Sequence, residues 1–183
     1  MFPKSRRDIL RTGLGAVVLG GAALSAGPGF ANPATGRLAF HNLHTGESLT
    51  AVYRDGGSLV PDALDAVNHV LRDYRTGDVH PIDPRLLDLL SALSARVDTR
   101  APFQVISGYR SPATNAMLHA HSDGVAKSSL HMKGLAIDIR LADVDLGRLH
   151  GAALAMAAGG VGYYPTSDFV HVDVGAVRRW SGA

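Results

Sequence analysis

A chain of 183 residues with 46% hydrophobic side chains is long enough to bury one core and too apolar for a disordered segment. Residues 1–31 carry four of the 18 basic residues and one of the 16 acidic ones, so residues 32–183 hold 14 against 15. That near balance gives no electrostatic case for a nucleic-acid surface, and the absence of cysteine excludes disulfides, a thiolate nucleophile and thiolate metal ligands.

Ser5-Arg6-Arg7-Asp8-Ile9-Leu10-Arg11 is a twin-arginine pattern, followed by a mild apolar run from Leu14 to Leu24 and small residues at Gly29-Phe30-Ala31. Residues 1–31 are therefore expected to be a signal peptide, with Asn32 as the mature start and residues 32–183 as one domain. The run is short and rich in Gly and Ala, which disfavours a stable membrane span after cleavage. Such a signal engages the twin-arginine translocase and implies export in a folded state, to the periplasm.

Arg37–His44 and Ser48–Arg54 are expected to be strands joined by a turn at Thr45-Gly46-Glu47. His41 and His44 are three apart, so a strand cannot put both on one face, and they read as surface or packing residues. Glu47 is the chain's single glutamate, so an H-E-x-x-H site is excluded and carboxylate chemistry falls to aspartates. Pro61–Arg75 reads as a helix with Leu64, Val67, Leu71 and Tyr74 along one side. Asp83 caps a second helix that starts at Pro84 and buries Leu86, Leu87, Leu90, Leu93 and Val97.

Phe103–Ser107 reads as a strand running into Gly108-Tyr109-Arg110-Ser111. Arg110 at such a strand end can face a carboxylate or a developing oxyanion, or it can pair with a structural aspartate. Ser111 and Pro112 open a short helix to about His121, in which Asn115 has no evident role. His119 and His121 stand two apart on that helix and cannot chelate one ion together. Residues 122–128 form a polar loop leading into the stretch Ser129-Leu130-His131-Met132-Lys133-Gly134-Leu135-Ala136-Ile137-Asp138.

That stretch reads S-x-H-x-x-G-x-A-x-D, and Asp168-Phe169-Val170-His171 follows it as D-x-x-H. Ala136–Leu141 alternates as a strand with Ile137 and Ile139 on one face and Asp138 on the other; Phe169–Val174 places His171 and Asp173 opposite its valines. His131, Asp138 and His171 together offer two imidazoles and a carboxylate, a set that suits Zn²⁺ with one open position for water. Asp168 precedes the pleat, at a turn, and is available to take that water's proton. On residue types alone two readings stand: a ligand set, or three unrelated polar side chains. Asp145–Ala158 between the strands reads as a helix in which His150 is structural, and the tail with Arg178, Arg179 and Trp180 is expected to pack across the domain.

These residues resemble the lysostaphin, D-Ala-D-Ala carboxypeptidase and Sonic-hedgehog-like group of zinc peptidases, which share H-x(6)-D and a later histidine. The mature part resembles more closely the murein endopeptidases of the YcbK/MepK type. That resemblance runs from the hairpin near Arg37 through Ser107–Ser111 to Gly160-Val161-Gly162-Tyr163-Tyr164 and His171-Val172-Asp173-Val174-Gly175. It implies an α+β fold, an antiparallel sheet with helices mainly on one face and a zinc cleft on the other. It implies one Zn²⁺ per domain on His131, Asp138 and His171, Asp168 as general base and Arg110 in the active site. Ser129, Tyr109 and Asp173 are assigned to the ligands' surroundings or to substrate. The expected function is hydrolysis of peptide cross-links between peptidoglycan stem peptides. A carboxypeptidase trimming stem peptides, or a zinc-holding wall-binding module without turnover, are the alternatives.

Overall fold

The computed structural model describes residues 33–121 and 125–182. The expected signal peptide and the start at Asn32 lie outside the described residues. None of the helices among those residues is long and apolar enough to cross a membrane.

The described residues open with β1 (Gly36–Asn42), β2 (Ser48–Asp55) and a two-residue β3 (Ser58–Leu59), then α1 (Pro61–Val70) and α2 (Pro84–Arg96). β4 (Phe103–Ser107) and α3 (Pro112–His121) precede a 3-10 turn (Leu130–Lys133) and β5 (Ala136–Arg140). α4 (Leu146–Met156), β6 (Gly160–Tyr164), β7 (Phe169–Asp173) and β8 (Arg178–Ser181) complete it.

All strands join one eight-stranded sheet in the order β3-β2-β1-β4-β5-β7-β6-β8. The sheet is mixed, which corrects the expectation of an antiparallel one. β1 and β4 run parallel, because α1 and α2 lie in the crossover that brings the chain back beside β1. β8 runs parallel to β6: the chain reverses after β7, passes beyond β6 and returns along its free edge.

Ile137 and Ile139 of β5 and Val170 and Val172 of β7 share one buried cluster with the leucines of α2 and Leu149 of α4. Period-two alternation then sends Asp138 and His171 out through the opposite face. The core side is set by α2, whose Asp83 cap accepts from the Arg85 N–H and whose Pro84 occupies the first turn. Within it Asp88 is buried, accepting from the Tyr53 hydroxyl at 2.9 Å and from Arg54 Nη2 at 2.9 Å and Nε at 3.3 Å. This network ties α2 to β2.

α1 stops at Val70, five residues before the end expected from its apolar stripe. Asp73 breaks the periodicity: its N–H donates to the Asp78 carbonyl and its own carbonyl accepts from Gly77, turning the chain back on itself.

Candidate active site

Backbone register assembles the site across five strands. Ser107 of β4 pairs with Asp138 of β5, Asp138 with His171 of β7, His171 with Gly162 of β6, and Gly162 with Trp180 of β8. Side chains in one such row share a face of the sheet. Gly162 has no Cβ, and the Trp180 indole occupies the space one would need. The Trp180 ring thereby reaches 5.0 Å from His171.

His131 comes from the 3-10 turn. Ser129 caps that turn, its hydroxyl accepting from the His131 N–H, and Gly134 ends it at φ 65°. A side chain at Gly134 would collide with the Pro81 carbonyl, so glycine alone fits both the dihedral and the space. The His131 imidazole is aimed by Gly108, whose carbonyl oxygen lies 2.7 Å from Nδ1. A carbonyl only accepts, so Nδ1 carries the hydrogen and Nε2 presents its lone pair inward. His171 is turned the other way: its Nε2 lies 3.0 Å from Asp173 Oδ2, which leaves Nδ1 facing the cluster.

The inward atoms meet closely. His131 Nε2 is 3.1 Å from His171 Nδ1 and 3.3 Å from Asp138 Oδ1, and His171 Nδ1 is 2.9 Å from that same oxygen. The three residues are buried, and each offers a ligand atom within 4.8 Å of the others. Two lone-pair nitrogens held by their opposite ring N–H groups, plus a carboxylate, fit a Zn²⁺ ion by donor chemistry.

The electrostatics agree with a cation at this point. Burial pushes the His171 imidazole down, but Asp138 and Asp173 on either side raise it to about 9, so at neutral pH Nδ1 carries a proton that a metal ion would displace to gain the lone pair. Burial alone would raise the Asp138 carboxyl, yet His131 and His171 hold it well below the usual carboxylate range. His131 is lowered by burial. Asp173 has no solvent exposure. It accepts from the Gly160 and Gly175 N–H groups, His171 Nε2 and both terminal nitrogens of Arg178. Against its burial, these donors hold its carboxyl low.

Arg110 stands beside the cluster, Nη2 lying 3.6 Å from Asp138 Oδ2. Its other contacts are long: Nη1 to Asn115 Oδ1 and Nη2 to Ser107 Oγ, each 3.4 Å, while Nε is buried with no partner among the described residues. Arg110, His131, Asp138 and His171 border a cleft of about 430 Å³. One wall is the 125–130 segment, including Ser129; the other carries Tyr164, Phe169, Arg178 and Trp180.

Asp168 is placed differently from the other candidates. It occupies the expected turn, at φ 54°, and its neighbours Ser167 and Phe169 border the cleft. Its own carboxylate is not among the lining groups; it pairs with Arg140 Nη1 at 2.6 Å, two residues along β5 from Asp138, and is 58% exposed. Tyr109 also faces away from the cleft, stacking on His80 at 4.7 Å. The remaining histidines lie outside the cluster. His119 meets the Val125 carbonyl, His121 the Met117 carbonyl, His41 the Ser48 hydroxyl, and His44 and His150 stack on Tyr74 and Tyr163.

Sequence reasoning missed Trp180, Ser107 and the pairing of Arg178 with Asp173. One sign was available: Trp180 is the only tryptophan of the chain.

Comparison with known proteins places the chain among described families. The family model described as "Peptidoglycan L,D-endopeptidase MepK" (Peptidase_M15_2) matches residues 31–180. The chain is 48% identical over 182 residues to the Peptidoglycan L,D-endopeptidase MepK of Escherichia coli strain K12, covering 98% of each chain. It is 44% identical over 146 residues to the Probable peptidoglycan L,D-endopeptidase MepK of Haemophilus influenzae, covering 79% of this chain and 78% of that one.

Proposed function

Because the chain belongs to the peptidoglycan L,D-endopeptidase MepK family, we propose that it is a zinc-dependent hydrolase of the peptide cross-links of peptidoglycan. The observation that carries the zinc assignment is the opposed locking of the two imidazoles. Gly108 holds the hydrogen of His131 on Nδ1 and Asp173 that of His171 on Nε2, so the two remaining nitrogens converge beside Asp138, that of His171 becoming a lone pair when a metal ion displaces its proton. Zn²⁺, when bound by these three residues, supplies Lewis-acid polarisation of the scissile carbonyl and acidifies water.

The chain's own residues supply the rest. Arg110 presents a buried, incompletely paired guanidinium to the cleft, suited to a developing oxyanion or a substrate carboxylate. Asp173 orients His171, and Ser129 shapes the turn that delivers His131. Asp168 pairs through Oδ2 with Arg140, and that pairing lends the role of base no support.

Purified sacculi digested with the protein test this reading, with the released muropeptides identified. Release should stop on chelation and resume with Zn²⁺. His131→Ala, Asp138→Ala and His171→Ala should each lose bound zinc. The position of the cut bond separates an endopeptidase from a carboxypeptidase. A protein that keeps its zinc and releases nothing from any sacculus would be a wall-binding module instead.

The twin-arginine pattern in residues 1–31 supports export through the twin-arginine translocase to the periplasm, where this substrate lies. Changing Arg6 and Arg7 together to lysine should leave the protein in the cytoplasm on fractionation. Normal appearance of the mature form beyond the inner membrane would refute the assignment.

A further inference from the structure

The loop that carries Arg110 is gripped from outside the cleft by the turn that follows α1. Asp73 is 2% exposed, and its two carboxylate oxygens face two different partners. Oδ1 accepts from the Arg75 N–H at 2.9 Å, which closes its own turn; Oδ2 accepts from the Ser111 N–H at 2.8 Å, the residue after Arg110. The side chains of Ser111 and Thr114 also favour the ionised form of this carboxylate. On the other side of Arg110, the Leu71 carbonyl accepts from the Tyr109 N–H at 2.7 Å. Gly108 lies so close to that carbonyl that a side chain there would meet it. The 71–78 turn therefore holds the backbone immediately before and immediately after Arg110.

The guanidinium needs that support. Its side-chain contacts are all 3.4 Å or longer and Nε is unpaired among the described residues, so side-chain bonds do little to fix it. Its direction is set chiefly by where its Cα is held. We propose that Asp73, a residue outside the cleft, is a positioning residue for Arg110 in peptide-bond hydrolysis. This rests on the hydrolytic reading above. It adds that the arginine's contribution depends on a carboxylate 37 positions earlier in the chain.

A double-mutant cycle on the zinc-loaded protein tests it, reading muropeptide release and, in parallel, zinc content and thermal unfolding. Asp73→Asn keeps the size but can no longer accept through both oxygens. It should slow release about tenfold, within the range of coupling seen between interacting residues. Zinc content should stay unchanged, and the loss should fall mainly in kcat rather than KM. In the Arg110→Lys background the same change should cost less than about twofold, because the group it positions is already gone. Equal fold-losses in the two backgrounds would overturn the proposal, since a purely structural role acts whatever stands at position 110. If Asp73→Asn does not fold, Thr114→Val removes one hydroxyl from the carboxylate and leaves the acid in place. Its smaller loss should likewise vanish beside Arg110→Lys, and persistence of that loss would overturn the proposal. A wild-type protein that releases nothing fails at the hydrolytic reading; an active wild type with an additive cycle fails at Asp73 alone.

Discussion

His171 donates through Nε2 to Oδ2 of Asp173 across 3.0 Å, and that carboxylate has no exposure to solvent. The two residues are neighbours on one face of β7, two apart, so the strand itself supplies the orienting group. Arg178 from β8 braces the same carboxylate with both terminal nitrogens, at 3.1 Å and 2.6 Å. The edge strand therefore takes part in aiming a candidate metal ligand.

Asp173→Ala should weaken zinc binding by about 10- to 100-fold without abolishing it, the usual effect of removing a group that orients a ligating histidine. Competition with a chelator of known affinity measures this. The variant should also melt at a lower temperature, because the Gly160 and Gly175 N–H groups lose their acceptor. Unchanged affinity would show that His171 is aimed by the strand alone.

Asp168→Asn should leave muropeptide release within about threefold of wild type, far short of the 10²–10⁴-fold that loss of a general base costs. The basis is its pairing with Arg140 on an exposed surface, outside the cleft lining. The stability change should also be small, below about 1 kcal/mol, as for other exposed pairs. A hundredfold fall in rate with zinc retained would instead show that Asp168 leaves Arg140 to take the proton.

Asp88→Ala should destabilise the fold by about 3–5 kcal/mol, because it strands the buried Arg54 guanidinium and the Tyr53 hydroxyl. Urea unfolding measures the loss. Zinc content under native conditions should remain that of wild type, since α2 lies on the face of the sheet away from the cluster.

Asp73 should contribute a pH-dependent part of the stability. Burial opposes its ionisation, but the hydrogen bonds from Thr114, Ser111 and Arg75 prevail and lower its pKa from 3.8 to about 2. A lowered carboxyl stabilises the fold fully above the unfolded value, and the gain disappears as pH falls from about 4 through about 2. Its size is about 2 kcal/mol. Unfolding followed against pH in wild type and Asp73→Asn should show two curves that converge across this window. A constant gap down to pH 2 would mean that the carboxylate is not held as an anion.

The sequence by itself determined which residues leave the core. Strand alternation has period two whatever its neighbours are, so Ile137 and Ile139 commit Asp138 to the opposite face, and the valines around His171 do the same. The Asp83-Pro84 start of α2 was equally legible, because capping is chemistry between adjacent residues. Tertiary structure decided what those faces meet. Nothing local dictates that β8 should return along β6, yet that pairing brings Trp180 to Gly162 and braces Asp173 with Arg178. The same holds for Asp73, which the apolar stripe placed inside a helix. It instead lies beyond the helix end, where its main chain closes a turn and its carboxylate reaches Ser111, a contact across 38 residues that no periodicity encodes. Asp168 shows the limit most directly. Its place at a turn followed from the pleat, but whether it faced the cluster or Arg140 depended on β5 lying alongside β7, and in the folded chain it faces Arg140.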